Sequence, residues 1–151
     1  MPHPARRPRP EHLRPGILAL VVLGGTLGSG ARAAIDQLAG SGPADVQWAT
    51  AGINVTGAAL LGVLFAVLTT MHDERARRAR VVLGSGVLGG YTTYSALALQ
   101  TVQLAEAGRP AVAAGYAVGS VVAGVLAAYL AHVGVLRVVR AQRRRDGGGT
   151  A

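Results

Sequence analysis

Four stretches of the chain are apolar almost without interruption, roughly Ile17–Ala39, Gln47–Thr70, Val81–Ala105 and Ala111–Leu136. Within them the apolar residues are clustered rather than periodic, whereas a helix on a soluble domain keeps a polar face. Each stretch reaches the ~20 residues that a helix needs to cross the hydrocarbon core of a bilayer. The pattern predicts an all-α membrane protein with four transmembrane helices. Three regions follow from it: an Arg/Pro-rich tail over residues 1–15, a transmembrane domain over 16–140, and a second tail over 141–151. The prolines at 2, 4, 8, 10 and 15 argue against a regular helix in the first tail. The second, with Arg143, Arg144, Arg145 and three glycines, reads as a solvated segment.

The third stretch departs from the pattern of the others. Its residues 84–95 hold four glycines, two serines and two threonines in twelve positions. Glycine is unfavourable by roughly 1 kcal/mol in a helix interior, and the burden concentrates at Gly89-Gly90. A helix broken there would free carbonyl and N–H groups at mid-membrane. Such groups are tolerated only when buried in protein or lining a polar cavity, and broken helices in transporters hold ions in this way. The other reading is a flexible helix whose hydroxyls bond back to the preceding turn.

Charge gives the orientation. All fifteen basic residues are arginine and the net charge is +8. In a soluble protein that balance would suggest nucleic acid, but the arginines sit at the ends of apolar runs. With four spans, thirteen of them fall on one side: the first tail, the loop carrying Arg75, Arg77, Arg78 and Arg80, and the segment from Arg137 onward. Arg109 falls on the other side, and Arg32 lies within the first span. The positive-inside rule then places both termini in the cytoplasm and implies a single direction of insertion. There is no cysteine, so neither a disulfide nor a thiolate metal site can form.

Glycine supplies 22 residues. The pairs Gly24/Gly28, Gly86/Gly90 and Gly115/Gly119 are each spaced by four, which lets helix backbones approach closely in lipid. Polar side chains at depth are few. Asn54, in the second span, either joins helices or lines a pathway. Tyr116 and Ser120, four apart in the fourth span, share a face, and with Thr92, Thr93 and Ser95 could form a track of hydroxyl donors. Arg32 either pairs with Asp36 one turn on or sets a positive charge at a pore mouth. His132 reads as a packing residue rather than a metal ligand. No carboxylate lies deep in a span, and no acid–base or nucleophile–base pair is present, so the residues give no basis for an enzyme.

Four patches, one per span, resemble the CrcB/Fluc fluoride channels over nearly the whole of Ile17–Arg140. They are Gly24–Arg32, Thr50–Gly57 with Gly62 beyond, Gly89–Ser95, and Tyr116–Ser120. The resemblance implies a subunit that lets fluoride leave the cytoplasm passively, in a dimer of antiparallel subunits with pores along the interface. It implies pore-lining roles for Asn54, Thr93, Tyr94, Ser95, Leu97, Tyr116 and Ser120, and a vestibule role for Arg32. It also implies a structural sodium ion held by the carbonyls of Gly89 and Thr92. The partners implied are fluoride, the lipid bilayer and a second subunit, either a copy of this chain or a paralogue, and no nucleic acid. The family pattern places phenylalanine where this chain has Tyr94 and Leu97, and commonly an acid where it has Gln100. Together with the one-sided arginines, those departures suggest one half of a heterodimer with one degenerate pore. Two other readings stand beside it: a small multidrug-type four-helix transporter, disfavoured by the lack of a glutamate in the first span, and a non-transporting membrane assembly subunit.

Overall fold

A computed structural model describes residues 15–40, 42, 45–71 and 73–147. The expected tail before Pro15 lies outside the described residues. The described residues are helical, joined by short connections. Helix α1 runs Pro15–Ala39 and α2 runs Trp48–Thr69. A short α3, Glu74–Ala79, continues into a π-helical stretch, Arg80–Leu88, and a last α-helical turn, α4, Gly89–Tyr91. Thr92 and Thr93 are extended, after which α5 runs Tyr94–Glu106 and α6 runs Pro110–Gly147.

Local chemistry accounts for most boundaries. Both α1 and α6 open on a proline, whose fixed φ suits the first helical position and whose missing N–H is no loss there. Asp73 caps α3 by accepting from Ala76 N at 2.8 Å, satisfying one of the orphan donors of the first turn. At the end of α5, Gly108 takes φ +76°. Its N–H donates to Ala105 O, and Arg109 N donates to Leu104 O, both at 3.0 Å. That paired closure needs a left-handed residue, which glycine adopts without strain. It turns the chain within three residues and lays α6 back along α5.

Among the described residues three helices are long and apolar enough to cross a membrane: α1, α2 and Pro110–Arg145 of α6. The third apolar run forms no single helix of that kind, because it is divided among the π-helical stretch, α4 and α5. α1 packs against the π-helical stretch and α4, α2 lies along α6, and α5 against α6, while α2 also meets the π-helical stretch and so joins the two halves. The buried core is small, centred on Leu97, Leu104, Ala113 and Tyr116. Large apolar side chains such as Leu27, Val118 and Leu130 are instead exposed. That inverted arrangement suits a protein whose outer surface meets lipid or another subunit.

Two features differ from the sequence expectation. α6 does not end near Arg140 but continues as helix through residues 141–147, which the sequence pattern assigns to a solvated tail. Arginine, alanine and glutamine are good helix formers, so an already nucleated helix extends through them at little penalty. The glycine pairs also part company. A Cβ on Gly28 would fall on the Val87 carbonyl oxygen and 2.8 Å from Tyr91 N, and one on Gly90 would fall on the Gly25 carbonyl. A Cβ on Gly86 would lie 3.0 Å from Val21 O. Those glycines are why α1 and the third segment lie backbone to backbone. Gly115 and Gly119, by contrast, have nothing within 4 Å and face outward on α6.

Candidate functional site

The extended pair Thr92-Thr93 lies three residues beyond the position where glycine content places the break. Gly89 and Gly90 are themselves helical. Side chains rather than backbone freedom set the position. Asn54, on α2, accepts from Thr93 N at 2.8 Å through Oδ1 and donates to Thr93 O at 2.9 Å through Nδ2. One amide thereby satisfies both main-chain groups of an extended residue, as a neighbouring strand would. Thr93 in turn caps α5, its Oγ1 accepting from Ala96 N at 3.2 Å. Thr92 closes the turn before it: its N–H and its Oγ1 both donate to Leu88 O, at 3.0 and 2.9 Å. Thr92 thus bonds back to the preceding turn, while Thr93 leaves helical geometry.

This bonding has a consequence for two carbonyls. In a continuous helix Thr93 N would donate to Gly89 O and Ala96 N to Thr92 O. Here Thr93 N is taken by Asn54 and Ala96 N by the Thr93 hydroxyl. The carbonyls of Gly89 and Thr92 are left without their helical donors, and both residues line an open cleft of about 410 Å³. Two neutral oxygens diverted from helix bonding are a donor set of the kind that holds sodium at unwound helices. Among the described residues there is no group of three acids or histidines able to hold a metal.

The same cleft gathers Asn54, Thr93, Tyr94, Leu97 and Ser120 with Gly57 and Gly124. Gly57 matters because a Cβ there would strike the Thr92 methyl, so its absence lets α2 reach the interruption. The amino end of α5 borders the cleft, and the dipole of a helix at that end favours a negative ion. Tyr94 is 81% exposed, and Leu97 also borders an adjoining cleft with Ala98, Thr101 and Val121. Ser95 lies outside the cleft lining. Its hydroxyl sits 3.2 Å from that of Thr93.

Tyr116 does not join this group. It is 7% exposed, and its hydroxyl donates to Gln100 Oε1, with Gln47 O at 3.3 Å as a second acceptor. Gln100 Nε2 donates to the Thr50 hydroxyl at 2.8 Å, and Thr50 is 1% exposed. The result is a buried polar chain linking α2, α5 and α6. Thr50 as the partner of Gln100, and Gln47 as that of Tyr116, go beyond the sequence reading. The available signal is that polar side chains in apolar runs need partners. Ser120 connects the regions, since it lines both the first cleft and a second, apolar one of about 700 Å³ shared with Tyr116 and Trp48.

Arg32 lines neither cleft. Its guanidinium lies 3.7 Å from Asp36 on the next turn, and its Nε is buried without a partner among the described residues. Two further contacts brace the interruption: the Ser29 hydroxyl donates to Gly90 O at 3.2 Å, and the Thr56 and Tyr91 hydroxyls lie 3.1 Å apart. His132 Nδ1 sits 3.3 Å from Gly62 O, linking α6 to α2.

Residues 19–132 match the family model described as CrcB-like protein, Camphor Resistance (CrcB). Relatives include a protein of Mycobacterium bovis named Fluoride-specific ion channel FluC 1, 43% identical over 80% of this chain and 91% of its own length. Another, from Novosphingobium aromaticivorans and named Fluoride-specific ion channel FluC, is 44% identical over 74% of this chain and 90% of its own. A third, the Fluoride-specific ion channel FluC 2 of Nocardia farcinica, is 39% identical over 96% of this chain and its entire own length. With a family model covering most of the chain, and relatives matched across nearly their full length, this protein belongs to the CrcB family.

Proposed function

We propose that this chain is a subunit of a fluoride channel that lets the ion leave the cytoplasm down its gradient, without enzymatic chemistry. The observation that carries the reading is the helix interruption at Thr92-Thr93, held open by Asn54 beside a cleft containing Ser120, in a chain whose relatives are named fluoride-specific ion channels. Fluoride is small and tightly hydrated, so a pathway must replace its water with donors. Hydroxyls, amide hydrogens and the positively polarised edge of an aromatic ring can do that. Neutral donors in a narrow line hold an anion without trapping it.

In this reading Asn54, Thr93, Tyr94, Leu97 and Ser120 line the path. The third segment spans the membrane in two pieces as the fourth crossing, with both termini cytoplasmic. Nδ2 of Asn54 carries a second hydrogen besides the one given to Thr93, and that hydrogen is the one available to an ion. Ser95 serves through Thr93, and Tyr116 serves only when its hydroxyl leaves Gln100. Arg32 acts at the vestibule as a fixed positive charge. The cleft is open along one side and Tyr94 is largely exposed, which fits a path completed by an antiparallel second subunit. A structural sodium ion fits the carbonyls of Gly89 and Thr92, where it would supply a positive centre that ties two interrupted helices together.

The one-sided arginines and the replacement of ring and acid positions by Leu97 and Gln100 support pairing with a paralogue. Efflux from fluoride-loaded liposomes tests both levels. Reconstituted with its paralogue, the chain should release fluoride and not chloride, and silence in that arrangement would remove the channel reading. Robust efflux from this chain alone would remove obligate pairing while leaving the channel.

A further inference from the structure

The cytoplasmic-type charge of this protein is not evenly compensated. In α3, Glu74 pairs with Arg77 and Arg78, and in α1 Asp36 lies beside Arg32. At the end of α6 the situation differs. Arg137, Arg140, Arg143, Arg144 and Arg145 follow the apolar run within one continuous helix, and all five are exposed. Among the described residues none of the five makes an ion pair.

The helix geometry says where that charge sits. α6 is 38 residues long, roughly 57 Å at ~1.5 Å per residue, whereas the hydrocarbon core is only ~30 Å thick. Its apolar part, Ala111–Leu136, is about 39 Å long at ~1.5 Å per residue, enough to cross the core, so Arg137 follows at or just beyond its edge with the next two turns among or past the headgroups. Arg137, Arg140 and Arg144 fall at i, i+3 and i+7, one stripe on one face. Arg143 flanks the stripe, while Val138 and Val139 fall on other faces of the same turns. The helix is stiff, so the stripe is presented at fixed depth rather than as a loose tail. The basic residues are all arginine, the side chain whose planar fork matches two phosphate oxygens at once.

We propose that this stripe is a docking surface for anionic phospholipid headgroups. Arg137, Arg140 and Arg144 would grip phosphodiester groups of the leaflet that α6 leaves, fixing the depth and tilt of the helix. The inference rests on α6 crossing the bilayer, not on which ion the protein passes. A phosphodiester held in the membrane is favoured over a soluble partner because the first guanidinium sits at the core boundary and the attraction fades within a Debye length of ~8–10 Å.

The full chain, purified and placed in nanodiscs of phosphatidylcholine with a minor share of phosphatidylglycerol, tests it. The annular lipid retained after gentle extraction is counted by native mass spectrometry. The native chain should retain phosphatidylglycerol over phosphatidylcholine by about ten-fold, with the preference falling as salt rises. The variant R137Q/R140Q/R144Q should lose most of the preference while keeping its elution profile. Soluble glycerol phosphate at equal concentration should not displace the lipid. The salt titration needs only the native chain, so it stands even if the variant misfolds. Equal retention of the two lipids, a preference untouched by salt or by the triple substitution, or full displacement by glycerol phosphate would each overturn the proposal, the first leaving a soluble acidic partner as the occupant.

Discussion

The two sides of the helix interruption are held by opposite means. Before it, the stretch from Arg80 to Tyr91 is fastened to α1 chiefly by the absence of side chains, with Gly28 and Gly90 letting main chain meet main chain and the Ser29 hydroxyl adding one bond to Gly90 O. After it, α5 is fastened by side-chain hydrogen bonds: Asn54 to Thr93, and Gln100 to Thr50 and Tyr116. Glycine packing gives a close, non-polar seam with little tolerance of added atoms. Hydrogen bonding gives a directional one that depends on a few groups. The difference indicates that the first half is built as scaffold and the second as an adjustable wall of the cleft.

The sharpest way to break the comparison is Asn54→Leu, which conserves approximate volume and removes both bonds to Thr93. The N–H of Thr93 then loses its partner, and its C=O keeps only the first helical bond of α5. An unsatisfied buried backbone group costs about 1–3 kcal/mol. Side-chain bonds in membrane bundles average only ~0.6 kcal/mol because alternative partners exist, but an extended residue inside an apolar bundle has few alternatives. The expected outcome is loss of fluoride efflux with a lowered thermal midpoint of the purified protein. Efflux at the native rate would show that the interruption does not need its brace.

Next in size is a matched pair on the glycines. Gly28→Ala forces a methyl onto the Val87 carbonyl, and overpacking of that kind costs about 1–3 kcal/mol. Gly119→Ala meets nothing within the subunit and improves helix propensity by up to ~1 kcal/mol. The first should lower the thermal midpoint and the second should hold or raise it. If Gly119 packs against another subunit, its variant should at the same time reduce the dimer fraction seen on cross-linking. Equal destabilisation of the monomer by both would erase the distinction between inner and outer glycines.

A smaller effect is expected from Gln100→Leu. The buried Thr50 hydroxyl loses its donor, but Tyr116 can turn to Gln47 O, already 3.3 Å away. One lost pair with one fallback suggests about 1 kcal/mol, visible as a modest midpoint shift that Thr50→Val largely cancels when combined with it. Additive losses in the double variant would mean that Gln100 and Thr50 act on different neighbours.

Much of this was legible in the residues, and the failures share a cause. Long apolar runs announce helices, because burial in lipid leaves the backbone no other way to satisfy itself. Spacing by four announced the tight seam at Gly24 and Gly28, yet the same spacing at Gly115 and Gly119 marks a face that meets nothing in the subunit. Spacing is a property of one helix, whereas contact is a property of two. Glycine and hydroxyl content marks the third run as irregular but does not say where the chain leaves helical geometry. Glycine content points to Gly89, while the actual site is chosen by an asparagine thirty-nine positions earlier in the chain, a long-range bond that no local pattern carries. Tyr116 was grouped with Ser120 by helical periodicity, and the backbone does put them on one face. The hydroxyl itself answers to Gln100 and Gln47, which periodicity along α6 cannot see. The extension of α6 past Arg140 was hidden because charged residues look like tail in isolation but are sound helix formers once a helix reaches them.

The gentlest test concerns Tyr94, whose ring carries a hydroxyl where the sequence resemblance implies phenylalanine. The side chain is 81% exposed, so Tyr94→Phe should move stability by no more than ~0.5 kcal/mol. Its effect on transport is a separate matter. The polarised ring edge stays, and a hydroxyl able to anchor water or compete for the ion is removed. With the ring on the path, efflux should rise by about two- to five-fold, the change that ~0.5–1 kcal/mol makes in a barrier. Stability and efflux both unchanged would take Tyr94 off the path and shrink the wall of the cleft to Asn54, Thr93 and Ser120. A rise in efflux at constant stability would tie the α5 side of the interruption to permeation directly, since no such gain is available from loosening the glycine seam on the other side.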